Sequence, residues 1–144
     1  MRRLLMILVL ASLAAGCGKS EAEKEREKAA KSGRGTVTCD GSGMSGATGL
    51  PADFPKIDGV TFVKATQTGP SRIVDGYVAR GLDDLYDDLH AKVEDAGYAI
   101  LFDEKEEDDA EISYRTKDGA SEGQIALRSC DEDKTSIHVT SRPS

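Results

Sequence analysis

The sequence predicts a two-layer α+β domain over residues 36–144, in which one main helix packs on an antiparallel sheet of five or six strands. Three patterns support this fold class. One stripe of apolar residues has the 3.6-residue period of a helix, and several short segments alternate apolar and polar residues as strands do. Turn-forming residues separate those segments closely, which favours antiparallel neighbours.

The helix is expected between residues 82 and 96. Its apolar residues recur at spacings of three, four, four and three positions: Leu82, Leu85, Leu89, Val93 and Ala96. Aspartates crowd the first turns, where the positive end of the helix dipole favours them. Gly97 stands where a helix needs a residue in the left-handed conformation in order to stop.

Two strands are expected before the helix. Residues 50–55 form an extended, proline-containing approach, and residues 60–66 are typical of a strand. A turn at 68–71 leads into a second strand over 73–80, in which Gly76 is a candidate bulge.

The strands after the helix are predicted from alternation. Tyr98, Ile100 and Phe102 are expected to share one face of a strand, and an acidic turn at 103–109 follows. Three later strands are predicted from alternating apolar residues: Ala110, Ile112 and Tyr114 in the first, Ile125 and Leu127 in the second, and Ile137 and Val139 in the third. A turn at 117–119 separates the first of these strands from the second.

Composition limits the functional classes. The 144 residues include 26 acidic and 19 basic side chains, for a net charge of -7. Nucleic-acid binding requires a positive surface, so no nucleic-acid partner is expected. The length allows one small domain with a modest core.

Residues 1–16 have the pattern of an export signal. Two arginines follow Met1, and an apolar segment covers residues 4–15. As a helix that segment would be about 18 Å long, against about 30 Å of bilayer hydrocarbon, so it suits a signal peptide better than a permanent span. Small residues then precede Cys17, as cleavage by a signal peptidase requires.

The segment Leu13-Ala14-Ala15-Gly16-Cys17 resembles the lipobox of bacterial lipoproteins. The resemblance implies that the signal is cleaved before Cys17 and that this residue is lipidated. It also implies an extracytoplasmic protein anchored to the bacterial cell membrane through lipid. An ordinary secretory signal, with no role for Cys17, is the alternative.

Residues 18–35 are expected to form a charged, flexible tether behind the lipidated cysteine. They include no large apolar residue and therefore cannot bury a face. As a coil they would span about 23 Å on average.

Two further cysteines remain, Cys39 and Cys130. Because the compartment outside the membrane can be oxidising, a disulfide between them is expected. It would pin the glycine-rich segment before Leu50 to a late strand. Two free buried thiols or a pair of metal ligands are the alternatives.

Four patterns invite a chemical interpretation and are each better explained structurally. Residues 41–46 match G-x-G-x-x-G, but no helix can follow them to present amides to a phosphate. The aspartates of 83–88 and the acidic residues of 103–109 fit a solvated helix start and a hairpin tip. His90 and His138 are too scattered to form a metal site with the cysteines. No catalytic residue, metal site or cofactor is predicted.

The sequence therefore favours a non-catalytic binding or scaffolding lipoprotein whose partner is an envelope protein or a cell-wall component. The globular part also resembles small uncharacterised lipoprotein domains of bacteria in three short motifs: Asp53–Pro55, Ala96–Tyr98 and Arg142–Pro143. A small-ligand or divalent-cation binder that uses the acidic helix start and acidic turn is the alternative.

Overall fold

The computed structural model describes residues 37–144. Seven elements follow one another along this part of the chain: β1 (Val60–Thr68), β2 (Ser71–Val78), α1 (Leu82–Asp95), β3 (Ala99–Lys105), β4 (Asp109–Arg115), β5 (Ser121–Asp131) and β6 (Lys134–Pro143). No helix within these residues is long and apolar enough to cross a membrane.

The six strands form one open sheet in the order β1-β2-β6-β5-β4-β3, and every neighbouring pair is antiparallel. The helix connects β2, near one edge, to β3 at the other edge, and packs against one face. The predicted two-layer α+β fold is thereby confirmed, with six strands in the sheet.

The helix begins and ends where the sequence predicts. Gly81, the N-cap residue, is extended and offers no side-chain cap, while Asp83 and Asp84 lie in the first turn. At the other end Gly97 has a φ of +77° and donates its N–H to the carbonyl oxygen of Glu94 over 2.8 Å. Tyr98 N–H donates to the carbonyl oxygen of Val93 over 3.1 Å, which closes the last turn.

The core lies between α1 and the sheet face that it covers, here called the helix face. The predicted apolar stripe of α1 and the alternating residues of β4, β5 and β6 all turn into this layer. Its buried apolar side chains include Val74, Leu82, Leu85, Leu89, Val93, Ile112, Ile125, Leu127, Ile137 and Val139. Leu50 and Phe54, which precede β1, pack at its margin.

Three aromatic side chains extend this core toward the segment before β1. The ring of Phe54 lies 5.7 Å from that of Tyr114 and 6.5 Å from that of Tyr98, both edge-on. The Tyr98 hydroxyl donates to Asp53 over 2.9 Å. Burial, together with that hydrogen bond, raises the pKa of Tyr98 above its ordinary value. The predicted extended approach is thus held by ring contacts and one hydrogen bond.

The prediction that Tyr98, Ile100 and Phe102 share one face is wrong. Strand β3 starts at Ala99, and its register with β4 shifts between Ile100 and Phe102. The extra residue, Leu101, turns Phe102 away from the core, and its side chain is 51% exposed.

Two further boundaries differ from the sequence expectation. The bulge expected at Gly76 lies in the partner strand instead, where the β1 register shifts between Phe62 and Lys64. A Cβ at Gly76 would lie 2.6 Å from the carbonyl oxygen of Thr61, so a glycine is needed at this approach of the two strands. The acidic turn is also shorter than expected, because β3 continues to Lys105 and β4 begins at Asp109.

Candidate functional site

The sheet face turned away from α1, here called the open face, presents polar side chains in register. Ser113, Gln124, Thr140 and Ile73 stand side by side on four successive strands. Their neighbours along each strand point to the helix face, so strand alternation alone places these four residues on the open face. The sheet backbone holds them at fixed spacing.

A groove of about 430 Å³ runs over these residues. Its floor is formed by the hydroxyl and amide groups of Ser113, Gln124 and Thr140, and Ile73 and Leu101 add apolar surface. Such a mixture of apolar wall and few polar groups is typical of binding surfaces.

The apolar wall of the groove comes from the β3 bulge. Leu101 is 47% exposed, and the next residue, Phe102, is also exposed and lies opposite Ser113. Large apolar side chains next to one another on a surface commonly mark a contact site. Sequence alternation missed this patch because it placed Phe102 in the core.

Charged groups close one end of the groove. Glu122 accepts hydrogen bonds from Arg115 over 2.8 Å (Nε) and 2.6 Å (Nη2). Nη2 of Arg142 lies 3.9 Å from the other carboxylate oxygen of Glu122. Arg142 therefore has only a long contact to a carboxylate that is already engaged.

The other end of the open face is crossed by residues 37–44, here called the strap. The backbone N–H of Thr38 donates to Ser136 Oγ over 2.8 Å, and the Tyr77 hydroxyl donates to the carbonyl oxygen of Gly41 over 3.0 Å. The Met44 N–H donates to the carbonyl oxygen of Phe62 over 2.7 Å. The G-x-G-x-x-G segment lies partly in this strap, and residues 47–59, which come directly after it, contain no helix.

A disulfide fixes the strap to β5. Cys39 and Cys130 are bonded, with their Cα atoms 5.9 Å apart and 91 positions apart in the chain. This geometry is compatible with the pairing that the sequence favours. The first described residues are therefore attached to the same sheet face that carries the groove.

Between the strap and the groove lies a partly buried acid–histidine pair. Nδ1 of His138 is 2.6 Å from Oδ1 of Asp75, and the two side chains are 15% and 11% exposed. The residues are direct cross-strand partners in β6 and β2. Alternation predicts the face on which His138 lies, but only the β2–β6 register reveals Asp75 beside it.

Three aspartates of the acidic helix start are engaged with lysines. Nζ of Lys105 lies 3.3 Å from a carboxylate oxygen of Asp83 and 3.3 Å from one of Asp87. Nζ of Lys92 lies 3.1 Å from Asp88. Burial acts to raise the pKa of Asp88, but hydrogen bonds from Lys92 and Arg80 outweigh it and hold the pKa below the usual value.

His90, the second histidine, lies among acidic side chains. Its Nε2 is 3.6 Å from Asp103, and its Nδ1 is 3.5 Å from Glu94. Over residues 37–144, no group of three or more His, Cys, Asp or Glu side chains is arranged to hold a metal ion. His90 therefore belongs to the link between α1 and β3, to which Tyr86 adds a hydrogen bond to Asp103 of 2.7 Å.

The predicted signal peptide 1–16, the lipidation site Cys17 and the tether 18–35 lie outside the described residues, and they remain predictions. The chain matches no known protein-family model and none of the curated proteins.

Proposed function

We propose that this protein is a lipid-anchored extracytoplasmic binding module and that its binding surface is the groove of the open face. Three observations support the proposal. Residues 1–16 have the pattern of an export signal that precedes Cys17. The Cys39–Cys130 disulfide is compatible with an oxidising compartment, and the groove is open along one side of the sheet.

The groove is the observation that carries the proposal. Its polar groups come from three adjacent strands, so the backbone ladder holds them in place without a ligand. A partner can pair with Ser113, Gln124 and Thr140 while it covers Leu101. Preformed groups of this kind lose little conformational entropy on binding.

The partner we propose is an extended segment of an envelope protein or of a cell-wall polymer. Such a segment can lie along an open groove, and its polar groups can pair with the hydroxyl and amide side chains of the floor. The lipid at Cys17 would hold the domain near such partners, and the tether would allow it to reach them.

The anchor is tested by the variant Cys17→Ser. Expression in a bacterial host should move the protein out of the membrane fraction, and its mass should lack the lipid that the wild-type protein carries. If the Cys17→Ser variant stays membrane-bound and is processed as before, the proposal of a lipid anchor at Cys17 is wrong.

The groove is tested by photo-crosslinking in intact cells. A benzophenone amino acid placed at Gln124, in the floor, should give reproducible adducts. The same group at Asp84, an exposed residue on α1, serves as the control. Adducts that are absent from Gln124, or equal at both positions, would contradict a binding surface on the open face.

A further inference from the structure

A second concavity lies at the end of the sheet where β2 begins and β6 ends. It has a volume of about 280 Å³ and is here called the arginine pocket. Its polar lining is formed by Gln67, Arg72, Ser121, Ser141 and Arg142. Prolines and the segment 49–51 complete its wall.

The guanidinium of Arg72 lies against Gly49. A Cβ at Gly49 would lie 2.5 Å from Nε, 2.6 Å from Nη2 and 2.7 Å from Cζ of Arg72. A side chain at this position would therefore displace the guanidinium from its present place. Gly49 also has a φ of +74°, in the left-handed region that favours glycine. Glycine at position 49 therefore suits both the local backbone conformation and the space that the guanidinium occupies.

The guanidinium of Arg72 lacks an internal counterion. Within residues 37–144 it forms no hydrogen bond and no ion pair, although its residue is partly buried. Elsewhere in that range Arg80, Lys92, Lys105 and Arg115 all contact carboxylates. No acidic side chain of the described residues lines the arginine pocket, although the chain has more acidic than basic residues.

We infer that the arginine pocket binds an oxyanion, either a carboxylate or a phosphate group. A guanidinium presents paired N–H donors that match two oxygens of either group. Arg142 also borders the pocket, but strand alternation directs its side chain to the open face beside Glu122, so Arg72 supplies the positive charge of the pocket.

The hydroxyl group of Ser121 supplies a further donor at the cavity. The Gln67 amide already donates to the carbonyl oxygen of Gly69 over 3.0 Å, and the Ser141 hydroxyl is hydrogen-bonded to Tyr114.

This inference goes beyond the proposed function and does not depend on it. Ser141 and Arg142 line both the arginine pocket and the groove, but Arg72 faces the side of the sheet opposite the groove floor. Anion binding requires neither the lipid nor a partner in the groove, and failure of one proposal leaves the other standing.

The test uses the full chain in detergent, titrated with sodium acetate and with sodium phosphate at constant ionic strength maintained with sodium chloride. Thermal melting is measured, together with the NMR signal of the Arg72 Nε–H group. We expect the melting temperature to rise with the anion and the Nε–H signal to shift in a saturable manner. A response to acetate alone would identify a carboxylate site, and a response to phosphate alone would identify a phosphate site. Responses to both anions would identify a general oxyanion site.

Variants separate a specific site from general charge. Arg72→Gln should weaken anion binding about tenfold or more, because it removes charge-assisted hydrogen bonds. Arg72→Lys should bind more weakly than the wild type despite its charge, since it lacks the paired donors. Lys64→Gln removes one exposed charge outside the pocket and should bind like the wild type. No shift of the Nε–H signal with either anion, or equal responses in Arg72→Gln and wild type, would overturn the inference.

Discussion

The ring of Tyr114 covers Gly123, its cross-strand partner on the helix face. A Cβ at Gly123 would lie 2.5 Å from the Tyr114 hydroxyl oxygen and 2.6 Å from Cζ, and it would also clash with the carbonyl oxygen of Thr140. The Tyr114 hydroxyl donates to that same carbonyl oxygen over 3.0 Å. The largest fully buried side chain of the core thus depends on the absence of a side chain in the next strand.

Gly123→Ala should therefore destabilise the domain. The added methyl group would displace Tyr114 or part the β5–β6 pair, and overpacking of this kind costs about 1–3 kcal/mol. Urea denaturation would measure the loss. Gly43→Ala is the matched control, because its Cβ would meet Thr61 Cγ2 at 3.6 Å, an ordinary contact. Similar stability losses in the two variants would show that Tyr114 does not need the space.

Alkaline pH should weaken the fold through buried tyrosines. Burial raises the pKa of Tyr114 to about 12, and burial with the Asp103 hydrogen bond raises that of Tyr86 to about 12. Since the unfolded chain ionises near 10, this stabilisation is complete below pH 10 and is lost as the pH rises toward 12. Denaturation between pH 9 and 12 should show the decline, and Tyr114→Phe should reduce its slope. An unchanged slope in that variant would contradict the assignment.

Loss of the disulfide should lower stability substantially. Cys39 and Cys130 are 91 positions apart, and the loop-closure entropy of a ring that long corresponds to about 4–5 kcal/mol. The double variant Cys39→Ala, Cys130→Ala should unfold at lower urea concentration. A reductant should lower the stability of the wild type to a similar level and leave the double variant unaffected. Equal stability of oxidised and reduced wild-type protein would contradict this prediction.

Two leucines should respond very differently to truncation. Leu89 is fully buried between α1 and the sheet, whereas Leu101 is 47% exposed beside the groove. Leu89→Ala should cost about 2–5 kcal/mol, because it leaves a cavity. Leu101→Ala should change stability by about 0.5 kcal/mol or less, as is usual at surfaces. Urea denaturation of both variants would measure the two changes in the free energy of unfolding. A large loss of stability in Leu101→Ala would contradict the prediction, because it would place that side chain in the core.

Local periodicity predicted most of the fold. The spacing of Leu82, Leu85, Leu89 and Val93 indicated both the helix and its buried face, because that face meets a single apolar layer. Alternation likewise indicated the buried sets of β4, β5 and β6. Gly97 marked the helix end, since a positive φ is needed there and glycine adopts it at little cost.

The parts that escaped prediction depend on contacts between distant segments. A one-residue bulge at Leu101 moved Phe102 out of the core, and alternation has no means of indicating where such a bulge lies. Asp75 meets His138 only because β2 pairs with β6. Arg72 and Gly49 are brought together by the path of the chain before β1. The positions of the groove and the arginine pocket therefore depend on the strand order, which local sequence patterns do not predict.

Strand β6 follows all the other strands in the chain and yet occupies the interior of the sheet, between β2 and β5. Among the described strands, only β6 joins the hairpin of β1 and β2 to the β3–β5 meander. A nascent chain that has emerged only as far as β5 consequently consists of two unjoined pieces with an incomplete core. Folding must await the arrival of residues 134–143, and the high proportion of long-range pairing makes it slow compared with that of a helical bundle.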